Sequence, residues 1–145
     1  MLVAGAAYDR RMRIWPQPLL IVGDVPRSCA FYVAVLGGES GHGGEDYEQI
    51  LVDGELVLQL HRLDVMDHHG PLADPEQPLG NGVLVWFEVA DFGAAVARAR
   101  AAGATVERDV HENPNARQPE LWLRDPDGYR VVLAGPSAYR PRDGA

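Results

Sequence analysis

The chain has 145 residues, 46% of them hydrophobic, and a formal net charge of −8. That length supports one compact domain with a real core and is too short for two ordinary ones, while the acidic balance argues against a nucleic-acid partner, whose phosphates are held by clustered Lys and Arg. A single cysteine, Cys29, excludes an intrachain disulfide and a multi-thiolate metal site, and no apolar run reaches the roughly 20 residues of a membrane span, so the expected protein is soluble and cytoplasmic with no membrane partner.

Residues 1–16 read as an N-terminal extension in which Arg10, Arg11 and Arg13 interleave with Trp15 before Pro16. Pro18 to Val22 predicts a short strand, and Asp24 an N-cap for a helix with Pro26 in its first turn. Ala30, Phe31, Ala34 and Val35 recur at helical spacing and predict the buried face; Gly37-Gly38 ends the helix. Cys29 sits near that face and reads as a small packing residue. Gly41 to Asp46 is turn-rich, Gln49 to Val52 predicts a strand, Asp53-Gly54 a tight hairpin turn, and Leu56 to Leu60 the return strand.

From Arg62 to Asn81 three prolines and scattered charge, with no apolar period, predict a surface linker. The pattern then begins again. Gly82 to Val89 predicts a strand, Asp91 an N-cap, and Phe92, Ala95, Val96 and Ala99 the apolar face of a helix stopped by Gly103. Strands follow at Thr105 to Val110, Glu120 to Arg124 and Arg130 to Leu133, with His111 to Pro119 as a polar, proline-bounded lid or long hairpin loop. Asp24 and Asp91 stand 67 positions apart and open equivalent units, the mark of an internal duplication. The expected fold is α+β, two tandem βαβββ modules over about 17–62 and 82–134 with linker 63–81, forming a curved sheet cleft; 135–145 read as a solvated tail.

The closing hairpin carries a further signal. In Leu121-Trp122-Leu123-Arg124-Asp125-Pro126-Asp127-Gly128-Tyr129-Arg130-Val131-Val132-Leu133, Pro126 presets φ and Gly128 supplies the positive φ that closes the turn. Together with the duplication, this Asp-Pro-Asp-Gly hairpin resembles the vicinal oxygen chelate superfamily of glyoxalase, bleomycin-resistance and extradiol-dioxygenase proteins, over about residues 17–134. The resemblance implies a concave sheet surface as the active site, paired chains and hence a homodimer. In metal-using members it also implies one ligand from the first and one from the last strand of each module.

Mapped onto this sequence, those four positions are Gln17, Gln59, Leu84 and Val132. Two are hydrocarbons with no donor atom, so the resemblance implies a member with no metal and no cofactor. Strand alternation puts Trp86 on the face of Leu84, and a turn over Asp125 to Gly128 pairs Trp122 with Val132, so Trp122 and Glu120 face the same cleft. With Leu19, Val57, Gln59 and His61, the cleft floor is apolar and aromatic with few polar groups. Either tryptophan is alternatively a packing or dimer-interface residue, and His61 alternatively a strand-end histidine.

The expected function is binding of a small aromatic or amphipathic molecule, as in sequestration, with Gln17, Leu19, Val57, Gln59, His61, Leu84, Trp86, Glu120, Trp122 and Val132 as contacts. The alternative is a lyase, isomerase or dioxygenase with a rearranged metal site from Gln17, His61, Glu88 and Glu120. His68-His69 invites the same metal reading, though adjacent loop residues seldom converge on one ion. Arg117 reads as a solvated loop arginine or an anion contact. No nucleophile triad, phosphate loop or spaced carboxylate pair is recognisable.

Overall fold

The two aspartates start the two helices. In the computed structural model, which describes residues 14–65 and 69–142, the Asp24 carboxylate accepts from the Arg27 N–H and the Asp91 carboxylate from the Ala94 N–H, each at 3.0 Å. Each bond satisfies one orphan donor, of α1 (Val25–Leu36) and of α2 (Phe92–Ala101). Pro26 lies in the first turn of α1, where its missing N–H costs nothing, and Gly37 ends that helix in the left-handed region at φ 68°.

Each helix belongs to one four-stranded sheet. Sheet 1 runs in the order β1 (Leu19–Val22), β4 (Glu55–Arg62), β3 (Tyr47–Val52), β2 (Glu39–Ser40), and sheet 2 in the order β5 (Leu84–Glu88), β8 (Arg130–Ala134), β7 (Gln118–Arg124), β6 (Thr105–Asn113). In both, the first strand pairs parallel with the last and the other neighbours are antiparallel. The fold is α+β with two βαβββ modules of identical topology, as the duplicated pattern predicts. No helix among the described residues is long and apolar enough to cross a membrane.

The strand limits differ from the sequence reading in ways that have local causes. β2 is only two residues, too short for any periodicity, and pairs Glu39 with Leu51 and Ser40 with Ile50. The chain enters it through Gly38, where a Cβ would stand 2.3 Å from the Leu51 carbonyl oxygen, so only glycine fits. β4 continues through Arg62, and β5 begins at Leu84 instead of Gly82. The tract 111–119 is not a loop over its whole length. β6 extends to Asn113 and β7 starts at Gln118, directly paired, so the turn is confined to 114–117. The polarity there reflects the solvent exposure of an edge strand, not an absence of pairing.

One core cluster joins the modules. Leu20, Val22, Ile50, Leu58 and Leu60 of sheet 1 and Val85, Leu121, Leu123, Val131 and Leu133 of sheet 2 are buried on the helix side. α2 contributes Ala95 and Ala99, with Phe92 and Val96 packed against the cluster, as expected. α1 departs from expectation: Ala30 and Ala34 are exposed, and the buried face is Val25, Ser28, Tyr32, Val35 and Leu36. Two of these five carry hydroxyls, which an apolar-period search passes over.

Those hydroxyls meet the other module. The Tyr32 hydroxyl donates to Asp125 Oδ2 at 2.7 Å, and the Ser28 hydroxyl to Asp127 Oδ2 at 3.3 Å. The Gly23 N–H donates to Asp127 Oδ1, and the Tyr129 hydroxyl to the Ile21 carbonyl. Asp125 Oδ1 meanwhile accepts from the Asp127 and Tyr129 N–H groups, so one buried carboxylate both shapes the β7–β8 turn and holds α1. Burial pushes the Asp125 carboxyl up, against those hydrogen bonds.

A second buried carboxylate organises the turn after β2. Glu48 accepts from the Ser40 hydroxyl and from the N–H groups of His42, Gly43 and Gln49. Burial alone would raise its pKa, but these donors together lower it to about 2. Burial also pushes up the Cys29 thiol, with Glu48 adding to the effect, which leaves Cys29 a poor nucleophile.

Tyr32→Phe should cost about 1–2 kcal/mol in urea unfolding, and Asp125→Ala about 3 kcal/mol, because it strands a buried hydroxyl and two turn N–H groups. Equal, negligible losses would show that the turn does not hold the modules. Glu48 has a folded pKa below its unfolded one, so its contribution is complete above about pH 4.5 and is lost as pH falls towards 2. Glu48→Gln should therefore be less stable than the parent by at most about 3 kcal/mol at pH 7, the gap narrowing through that window in pH-dependent urea titrations.

Candidate functional site

Alternation within each sheet separates a helix side from an open side. With Val85, Phe87, Leu121, Leu123, Val131 and Leu133 on the helix side, the intervening Leu84, Trp86, Glu88, Glu120, Trp122, Val132 and Ala134 take the other. The pairing puts Trp86 beside Val132 and Val132 beside Trp122, with Arg108 next in line on β6. One cross-sheet row thus reads Trp86, Val132, Trp122, Arg108. The register expected from the Asp125 to Gly128 turn, with Arg124 opposite Arg130, is the one observed. Val132 is fully buried, whereas Trp86 is 41% exposed and Trp122 half-buried.

A cavity of about 790 Å³ opens where the first strands of the two modules approach. Gln17 and Val57 line it from module 1, Leu84, Trp86 and Glu88 from module 2. Two chain segments outside the expected site also contribute. Ile14 and Trp15 lie along one side, and Arg142 of the tail forms an ion pair with Glu88 at the other. Neither was legible: an exposed segment before the first strand carries no period, and Arg142 looks solvated until a carboxylate 54 positions away is placed beside it.

The remaining expected contacts fall elsewhere on the same faces. Leu19 pairs with Gln59 on the open side of sheet 1 and is partly exposed. Gln59 is engaged at both ends: its Oε1 accepts from the Tyr47 hydroxyl at 2.6 Å and its Nε2 donates to the Gln17 carbonyl at 2.9 Å. His61, two residues on, packs its ring against His69. His68 lies outside the described residues. Glu120 is only 2% exposed and accepts from the Asn113 amide at 2.7 Å and the Trp122 indole N–H at 2.9 Å, with His111 Nε2 at 3.3 Å. Trp122 is therefore fixed in orientation by a buried carboxylate two residues before it. The Arg117 guanidinium lies over the Tyr139 ring, 6.0 Å from its centroid.

The metal that the resemblance implies for some members does not fit these residues. Of the four positions, Leu84 and Val132 offer no donor, the Gln59 amide is engaged on both sides, and Val132 is closed to solvent. Nor do the substitutes Gln17, His61, Glu88 and Glu120 converge, since His61, Glu88 and Glu120 each have a separate partner. Among the described residues no three or more His, Cys, Asp or Glu side chains gather as a metal cage.

No curated protein sequence matches the chain significantly. Solved structures share its fold at low identity. A glyoxalase/bleomycin resistance protein/dioxygenase from Nocardioides is 19% identical over 93% of each chain, with a TM-score of 0.66. A glyoxalase-related enzyme from Fulvimarina pelagi is 18% identical over 86% of this chain and 88% of its own, with a TM-score of 0.67. A lactoylglutathione lyase from Agrobacterium tumefaciens is 21% identical over 84% and 92%, with a TM-score of 0.62. The model of one family matches residues 15–133, from the cavity-lining Trp15 to the last core residue of β8. With both modules and the closing turn inside that span, the chain belongs to the Glyoxalase/Bleomycin resistance protein/Dioxygenase superfamily.

Proposed function

We propose that this protein binds a small aromatic or amphipathic molecule in the cleft between its modules and holds it by burial and ring stacking, without a metal at the four positions its family uses. The observation that carries this reading is the cavity wall formed by Val57, Leu84 and Trp86, with hydrocarbon at both module 2 positions where a chelating member would need a donor. A cavity of about 790 Å³ is in the range of small-molecule sites. Val57, Leu84 and Trp86 give it apolar walls, and Gln17, Glu88 and Arg142 supply a few polar contacts.

The energetics favour a flat ligand. Each well-covered aromatic or large aliphatic side chain contributes roughly 1.5–3 kcal/mol, so affinity grows with each ring face that the ligand covers. Trp122 does not line the cavity; tied to Glu120, it presents a fixed ring on the open face of sheet 2. Sequestration accords with the bleomycin-resistance name that two structural neighbours carry. The lyase name of another supports a catalytic alternative of the same superfamily.

Titration with planar aromatic probes such as 1-anilinonaphthalene-8-sulfonate should quench or shift the tryptophan emission. Trp86→Ala should weaken that binding by about tenfold to a hundredfold, corresponding to the burial of one large aromatic ring, while leaving the unfolding midpoint nearly unchanged because the ring is exposed. A broad panel without any response, or equal affinity in Trp86→Ala, would overturn the reading.

A further inference from the structure

The open face of sheet 2 changes character from one row of side chains to the next. Beside the row of Trp86, Val132 and Trp122 runs a second one, because Leu84 pairs with Arg130 and Arg130 with Arg124. Positions two apart on a strand share a face, so this row lies about 6.5 Å from the aromatic one and points the same way. A smaller pocket of about 350 Å³ opens over it, walled by Leu84, Arg124, Arg130 and residues 78–82. Val83 and Leu84 line this pocket and the larger cavity alike, so the two spaces adjoin at the start of β5.

The charges of the two spaces are opposite. In the smaller one, two arginines share one acid: Arg124 Nη2 donates to Glu107 Oε1 at 2.8 Å, and Arg130 Nε to the two Glu107 oxygens at 3.1 and 3.2 Å. Arg124 Nη1 donates to the Gly128 carbonyl. Arg130 thus bonds through Nε alone, and its terminal nitrogens have no acceptor among the described residues. Its side chain is 46% exposed. Guanidinium keeps its charge at any working pH, which leaves this pocket with an excess positive charge. The larger cavity is lined instead by Glu55 and Glu88, with Arg142 as the one cation of its lining, and Arg142 is paired with Glu88.

The geometry points to an organic anion as the ligand: its acidic group, a carboxylate, sulfonate or phosphate, takes the terminal nitrogens of Arg130, and its flat body lies in the larger cavity against Leu84 and Trp86. This assignment rests on the binding function proposed above and adds the sign and the place of the ligand's charge. The planar fork of a guanidinium meets two oxygens of such a group at once. The acids of the larger cavity repel the charged end, so a bound molecule has one orientation, its anion towards Arg130 and its ring towards Trp86.

A matched pair of probes tests this on the full chain: 1-anilinonaphthalene-8-sulfonate, and N-phenyl-1-naphthylamine, the same rings without the sulfonate. The parent should bind the sulfonate more tightly, and the preference should shrink as NaCl is added. Arg130→Gln should weaken sulfonate binding by about tenfold while leaving the neutral probe and the urea unfolding midpoint nearly unchanged, since Arg130 is exposed and its ion pair contributes little to folding. If neither probe binds, the binding function and the charge assignment fall together. If both bind equally, or Arg130→Gln weakens both alike or neither, the charge assignment is overturned and the binding function stands.

Discussion

The hydrogen bond between the Tyr32 hydroxyl and the Asp125 carboxylate links two levels of this structure. On one side, Asp125 accepts the turn N–H groups that let β7 reverse into β8; on the other, it holds the middle of α1. The turn of module 2 is thus built from the same carboxylate that fixes module 1 against it. Asp127, two residues on, repeats the arrangement with Ser28 and Gly23. The junction also ties β1, whose Leu20 lines the cavity, to the β7–β8 turn of the other module.

Burying an acid at such a point is expensive unless its lone pairs are used. Here three donors reach Asp125, four groups reach Glu48, and Asn113 and the Trp122 indole reach Glu120. No buried side-chain nitrogen or oxygen among the described residues lacks a partner. The three carboxylates differ in what they organise: a module junction, a loop, and an aromatic ring on the open face. The last is why Trp122 differs from Trp86 despite sharing its row. One ring is oriented by a polar anchor and the other is left to solvent.

Much of this was legible in the sequence where the determinants are local. Asp24 and Asp91 cap their helices because an acidic side chain three residues before a free N–H is a short-range device. The turn of Asp125 to Gly128 set the register that places Trp122 opposite Val132. What escaped depends on distant groups. The face of α1 is legible only in part: Val35 and Phe31 pack as expected, but Ser28 and Tyr32 are buried for partners 99 and 93 positions away, and hydroxyls do not register in an apolar period. Likewise the cavity's outer wall required Arg142 to find Glu88, and only the last residues of β6, 111–113, read as loop, because an edge strand is wet on both faces.

The separation in sequence of the junction contacts has a kinetic consequence. The bonds that join the modules span 63 to 108 positions, whereas the hairpins within each module close over short loops. Loop-closure entropy makes the distant contacts the slower ones to form, so each βαβββ unit gathers its own strands before the two dock. The cavity between the modules is then the last part of the molecule to exist during folding. It is also the part first lost when the β7–β8 turn lets go, while each sheet still keeps its own ladder.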